Sequence, residues 1–296
     1  MYGIALKQQG IVLVIVLWII TLLTVMAGSF TYSLRTETLL AASAVGRAQA
    51  RALAEAGVNY AAMQVLRPVA TQAAAWPVDG SEREWQFGQG RLRIAVVDAN
   101  GKIDLNRANR ALLGGLLTSA GVADEALDSL LDAIEDWRDP DDVPGLHGAE
   151  KAEYQAAGRA LGPKNAPFES VEELQQVLGM TPAIYQRIAG SLTVFSGQPG
   201  INPAVASANV LKALPGADPK AIDDYLAARA DNAAQGLPPP PPPVASPYLA
   251  AGGGIAYHIT VQAQLDTGVT VSVEAVVGQS RQATQPYHLF AWREGF

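Results

Sequence analysis

The chain has 296 residues, with 21 Lys and Arg against 28 Asp and Glu, a formal charge of −7 and no cysteine. That acidic balance argues against a nucleic-acid partner, and the missing cysteine removes disulfides, thiolate nucleophiles and cysteine-ligated zinc together. With 49% apolar and 17% charged residues it is a folding composition, long enough for one large domain or two ordinary ones.

Residues 1–10, MYGIALKQQG, form a polar leader that carries Lys7 and ends in Gly10. The next twenty, IVLVIVLWIITLLTVMAGSF, hold no charge. As a helix they span about 30 Å, the hydrocarbon thickness of a bilayer. The run exceeds the apolar region of a cleaved secretory signal and no A-x-A-like site follows it, so it reads as an anchor. Lys7 and the initial amine put the leader on the cytoplasmic side. Leu34, Leu39, Val45, Leu53, Val58 and Met63 then recur among alanines, and the first proline is Pro68. One helix is therefore predicted from 11 to 67, leaving the membrane and entering a soluble domain. Gly28, Gly46 and Gly57 are its expected weak points.

Residues 84–98, EWQFGQGRLRIAVVD, alternate as two strands joined by a turn at 88–90, and Asn100-Gly101 makes a tight turn. From 106 to about 232 the pattern changes to helices at 123–137, 168–179, 181–190 and 218–230, with Asp124, Glu172 and Glu173 in first turns. The corners at 178–182 and 214–219 resemble helix-hairpin-helix turns, which hold DNA phosphates on backbone amides; here the flanking lysines and arginines are lacking. Residues 236–254, GLPPPPPPVASPYLAAGGG, read as a linker: a polyproline spacer released by glycines. Residues 255–265, 267–278 and 286–294 read as three strands. The predicted class is α+β: a long N-terminal helix and an antiparallel sheet (69–105 and 255–296) interrupted by an inserted, mostly helical domain at 106–235.

One constellation has the look of chemistry. Asp136, Asp139, Asp141 and Asp142 lie at the end of a predicted helix, where the macrodipole opposes negative charge, with Glu150 and Glu153 just beyond. Crowded carboxylates repel unless a cation joins them, and calcium, taking six to eight oxygens in flexible geometry, suits them better than magnesium. Zinc would want histidine, and only His147 is near. The order is not that of an EF-hand. A solvated acidic loop is the plain alternative. A second string, Asp98-Ala-Asn100-Gly101-Lys102-Ile-Asp104, is better explained as a turn, because Lys102 would oppose an ion. His258 and His288 fall on strands, and no hydrolase, P-loop or dinucleotide motif appears.

The leader ending in glycine before an apolar helix resembles a prepilin signal. The resemblance places cleavage by prepilin peptidase between Gly10 and Ile11 and N-methylation on Ile11. Most pilins carry glutamate at the fifth mature position; here that residue is Ile15. Its absence, the GKIDLN entry into the helical region, the acidic loop and the closing HLFAWRE make the chain similar to the protein K family of type II secretion minor pseudopilins. The resemblance implies a single-pass inner-membrane protein with a periplasmic head at the pseudopilus tip, helping to initiate assembly. It further implies partners of the I, J and H types, an inner-membrane assembly platform, structural calcium in the inserted domain, no nucleic acid and no catalysis. Two other classes are a membrane-tethered helix-hairpin-helix DNA-binding protein and a membrane-anchored calcium-dependent hydrolase. The first requires positive potential around Gly179 and Gly216; the second requires a nucleophile in a cleft.

Overall fold

Helix α1 runs from Gln9 to Val65, 57 residues, in a computed structural model that describes residues 9–67, 76–242, 244, 247–250, 252–280 and 285–295. Most of the leader, residues 1–8, lies outside the described residues. Within the apolar run, the hydroxyls of Thr21, Thr24 and Thr31 donate to the carbonyls of Leu17, Ile20 and Ala27 at 2.8 Å. These side chains thus present no unpaired donor to lipid. Residues 11–45 are exposed throughout. Burial begins at Gly46 and recurs at Ala50, Leu53, Ala54, Gly57, Val58, Ala61 and Ala62, a stripe at three- and four-residue spacing.

That stripe lies on a five-stranded antiparallel sheet of order β1-β2-β5-β6-β7. Its strands are β1 (Asp79–Phe87), β2 (Gly90–Asp98), β5 (Ala256–Leu265), β6 (Thr270–Gly278) and β7 (His288–Glu294). Alternate residues face the helix: Leu92, Ile94 and Val96 on β2, Ile259, Val261 and Ala263 on β5, Val273, Ala275 and Val277 on β6. Gly57 is where helix and sheet come closest. A Cβ there would stand 2.7 Å from Leu92 Cδ2 and 2.8 Å from Val261 Cγ1. The expected weak point is a packing contact that only glycine permits.

Between β2 and β5 the chain builds a second core. Strands β3 (Ile103–Asp104) and β4 (Leu192–Thr193) pair in parallel. Around them lie α2 (Arg110–Ser119), α3 (Asp124–Arg138), α4 (Lys151–Ala156), α5 (Pro182–Ile188), α6 (Ala208–Lys212) and α7 (Pro219–Ala234). Asn109, Thr181, Ser207 and Asp218 cap four of these helices by accepting from the amides of Leu112, Ile184, Val210 and Lys220. Leu112, Leu117, Ile134, Trp137, Tyr154, Leu174 and Ile188 fill the interior. The helix expected over 168–179 is instead a 3-10 turn, Val171–Gln176. Asn106 holds Phe168 at both amide and carbonyl (2.8 and 2.9 Å), and Gly179 turns left-handed at φ 87.

The stretch expected as a linker behaves as one only in its prolines. Residues 237–239 and 241–242 are at most half-buried or exposed, whereas Ile201 donates to Tyr248 O and Ala250 to Ile201 O, both at 2.8 Å. Further on, Gly254 N donates to Asp98 Oδ2 at 2.9 Å. The second half is therefore tied to the body rather than free, because the helical core leaves room for Tyr248 and Leu249 against its flank.

Candidate functional site

Helix α3 places Asp132 and Asp136 four residues apart on one buried face, aimed at the loop that follows. Asp136 accepts from Gly145 N at 3.0 Å and from Ala149 N at 2.7 Å. Asp132 accepts from His147 N at 2.9 Å and pairs with Arg110. Burial acts against the Asp132 anion, but the His147 amide and Arg110 hold its carboxyl below the usual value. At Gly148 a Cβ would fall 1.9 Å from Asp136 Oδ2, so the loop can approach the carboxylate only as glycine. Asp136, expected to be a cation ligand, thus spends its oxygens folding the loop.

The other five predicted ligands separate into two groups. Asp141 is exposed and closes a turn by accepting from Val143 N at 2.9 Å. Glu153 accepts from Glu150 N at 2.9 Å and caps α4, because a carboxylate at the third position of a short helix reaches back to the free amide at its start. Asp139, Asp142 and Glu150 form the other group. Asp142 accepts from Asn165 Nδ2 at 2.8 Å. Asp139 Oδ1, both carboxylate oxygens of Glu150 and Asn165 Oδ1 are buried with no hydrogen-bond partner. Burial pushes the Glu150 carboxyl up, with the nearby Asn165 amide opposing and Asp136, Asp139 and Asp142 adding to the rise. Burial also raises Asp139, with Asp141 and Asp136 adding.

Among the described residues no three His, Asp or Glu side chains already stand as a formed metal shell. What the loop does offer is a set of orphaned, oxygen-only acceptors, and buried acceptors without donors are costly unless a cation or water completes them. Asp132 and Asn165 were not singled out in the sequence. The i, i+4 spacing of Asp132 and Asp136 was a signal for the first. No local pattern marks Asn165, although it adopts the left-handed φ of 49.

The helical corners number three among the described residues, since Gly121 (φ 83) turns α2 into α3 as Gly179 (φ 87) and Gly216 (φ 77) turn theirs. Around Gly216 the cation Lys212 is paired with Asp223 at 2.7 Å, and Asp218 caps α7. These corners turn helices, and the positive potential that a DNA grip requires is not built at Gly216.

The model of the type II secretion system protein K family matches residues 92–197. Type II secretion system protein K of Klebsiella pneumoniae is 28% identical over 201 residues, 62% of this chain and 61% of the relative. That of Pseudomonas aeruginosa is 25% identical over 245 residues, 75% of this chain and 72% of the relative. A chain in the crystal structure of the GspK-GspI-GspJ complex of enterotoxigenic Escherichia coli shares the fold, with TM-score 0.56 at 15% identity over 88% of this chain and 99% of that one. Over these residues the chain is similar to the type II secretion system protein K family. It spans about three fifths of the length of the Klebsiella relative. The matched residues 92–197 begin in β2 and end just past β4, so they include α3 and the whole acidic loop. Helix α1 is long and apolar enough to cross a membrane, and Gly10 and Ile11, expected as the cleavage pair, lie at its start.

Proposed function

We propose that this chain is a minor pseudopilin of a type II secretion system, anchored once in the inner membrane, with both cores in the periplasm at the pseudopilus tip. The observation that carries this reading is the division of α1. Residues 11–45 are bare, the first twenty of them without a charge, while the stripe from Gly46 to Ala62 is packed on the sheet. A helix that is half embedded in its own head needs lipid, or other helices, for the remainder. The GspK chain of the related structure assembles with GspI and GspJ; by the same logic partners of the I, J and H types would cover α1 here. Ile15 is consistent with a tip position, because a subunit with no neighbour above it has no N-terminal amine for a fifth-residue glutamate to meet. The role is structural, with no catalytic step.

Prepilin peptidase would cut between Gly10 and Ile11, and Ile11 would be N-methylated. Mass spectrometry of the mature N-terminus tests both: methylated Ile11 is expected, and a chain that still begins at Met1 removes the pseudopilin reading. Gly10→Val should leave the leader attached. Replacing Ile15 by Glu should be tolerated for insertion, since a charge costs up to about 3 kcal/mol at a helix centre and less near its end. It should bring no gain in assembly, and improved pseudopilus formation would count against the tip.

Within the head, calcium would be held by Asp139, Asp142 and Glu150, with the side-chain oxygen of Asn165. The buried, unpartnered oxygens of Asp139, Glu150 and Asn165 and the raised carboxyl pKa values of Asp139 and Glu150 support this set over the six residues expected from spacing, with Asp142 joined to it through Asn165. A bound divalent cation supplies positive charge to a crowded acidic loop. The chain's own part is to hold the loop against α3 through Asp132 and Asp136.

A further inference from the structure

The helical core and the sheet meet through little apolar surface: Ala99, Ala256 and Val276, with Phe195 and Ala291 beside them. Most of what joins them is polar, buried at the histidine and half-exposed at the arginine. His258, on the outer face of β5, is 7% exposed. Its Nε2 lies 3.1 Å from Thr193 Oγ1 on β4, and its Nδ1 lies 3.5 Å from Glu274 Oε1 on β6. Phe195 N donates to the same Thr193 hydroxyl at 3.1 Å, which leaves that hydroxyl free to donate to Nε2. The neutral ring, carrying its proton on Nδ1 toward Glu274, therefore satisfies both contacts. Arg293 on β7 pairs with Glu274 on one side and with Glu172, in the 3-10 turn of the helical region, on the other. Phe195 covers the imidazole at 6.1 Å between ring centres.

Two strands of chain cross between the cores, at 98–102 and 252–256. Asp98 and Asn100 bind them together, accepting from Gly254 N at 2.9 Å and donating to Gly253 O at 3.3 Å. These hydrogen bonds tie the two crossing segments to one another.

We propose that His258, Glu274, Arg293, Thr193 and Glu172 form a clasp that holds the helical region on the sheet and opens on acidification, while both cores remain folded. Protonating His258 puts a second N–H toward Thr193, whose hydroxyl proton then loses its acceptor in a buried site. The charged groups facing the ring act together. Burial and then the Lys102 charge oppose the imidazolium, Glu274 favours it, and the result is a value lowered from 6.5 to about 4. Glu274 is itself held low, first by its hydrogen bond from His258 and also by Lys102. Tyr185 faces Glu274 as well and is raised chiefly by burial. Burial depresses Lys102.

The sign follows directly. A base whose docked value lies below its free value loses docking free energy as pH falls from the free value to the docked one. If opening returns His258 to water, the docked-to-open ratio should fall about tenfold near pH 5.5 and on the order of a hundredfold near pH 4.3. Protonation of Glu274 acts in the same direction.

The chain's lack of cysteine lets two spin labels be placed alone, at Ala228→Cys on α7 and Thr267→Cys in the β5–β6 turn, both exposed. Pulsed dipolar distances on the full-length protein in nanodiscs should show one narrow population at about pH 7.5 and a second, broad one by about pH 4.5. Near-ultraviolet circular dichroism should be unchanged across that range. His258→Gln, which keeps a group able to hydrogen-bond Thr193 without titrating, should hold the narrow population to lower pH. Arg293→Gln should broaden it already at about pH 7.5. A single narrow distance at both pH values, broadening only together with loss of the aromatic signal, or His258→Gln opening with the parent would overturn the proposal. Should His258→Gln not fold, Arg293→Gln decides: an unchanged narrow distance at neutral pH removes the clasp.

Discussion

Two acidic strings, 98–104 and 136–150, look alike in the sequence, and the fold treats them oppositely. In the first, each carboxylate is fully occupied by donors of the chain. Asp98 accepts from Asn100 N and Gly254 N at 2.8 and 2.9 Å. Asp104 accepts from Asn106 N, the Ser196 hydroxyl and Gly197 N at 2.9, 3.0 and 2.8 Å. In the second, Asp132 and Asp136 take up the loop's amides, and Asp139 Oδ1 and the two Glu150 oxygens are buried without a well-formed hydrogen bond. The supply of amide donors, rather than the density of carboxylates, separates a structural turn from a candidate cation site.

The largest effect should come from breaking the satisfied string. Asp104→Ala strands two buried or half-buried amides and a hydroxyl, each costing about 1–3 kcal/mol when unpaired. Thermal unfolding should show a fall of several kcal/mol that is the same in calcium and in chelator. A loss that calcium reverses would mean that Asp104 belongs to an ion site.

Next is calcium itself. At about 100 times the dissociation constant, binding to the folded state alone adds roughly 2.7 kcal/mol. The melting temperature should therefore rise in calcium, with magnesium a poor substitute. Asp139→Asn combined with Glu150→Gln should abolish that rise and leave stability in chelator equal or better. Equal melting curves in calcium and chelator at matched ionic strength would remove the ion from the account.

The pH response of the same pair sharpens the contrast. Asp139 and Glu150 have folded-state values raised above ordinary ones. The folded chain then binds more protons than the unfolded chain, and stability falls as pH rises from the ordinary carboxylate range through the raised values. In chelator, the parent minus the double variant should show this fall. A flat difference would mean that water already serves those oxygens.

The smallest effect belongs to Glu153→Gln. An amide oxygen can still cap Glu150 N, so the cost should stay below about 1 kcal/mol, with the calcium rise intact. A lost calcium response would return Glu153 to the ligand set.

Much of the fold was legible in the sequence because it rests on local periodicity. The charge-free run of twenty residues, the alternation on β2 and β5, and the three- and four-residue spacing of apolar residues over 123–137 and 218–230 each announce their element within a few positions. The failures were tertiary. The 3-10 turn at 171–176 follows from Asn106 holding Phe168, a contact between residues 62 apart. Tyr248 and Leu249 are fixed by Ile201, so the supposed spacer is half structural. Gly57, unfavourable by helix propensity, is required by the sheet beneath it.

By itself the sequence determined that this protein has an apolar anchor continuing into a soluble head, and that acids crowd the end of one helix. Both are properties of neighbouring residues, set by hydrophobicity and spacing along one element. Only the tertiary structure decided which acids are spent on the fold. Beside local amides two residues on, the donors that complete Asp98 and Asp104 come from residues 156 and 93 positions away. The orphaned oxygens of Glu150 arise where no such donor reaches. A carboxylate's role depends on the protons that long-range packing brings to it, and no local pattern encodes that count.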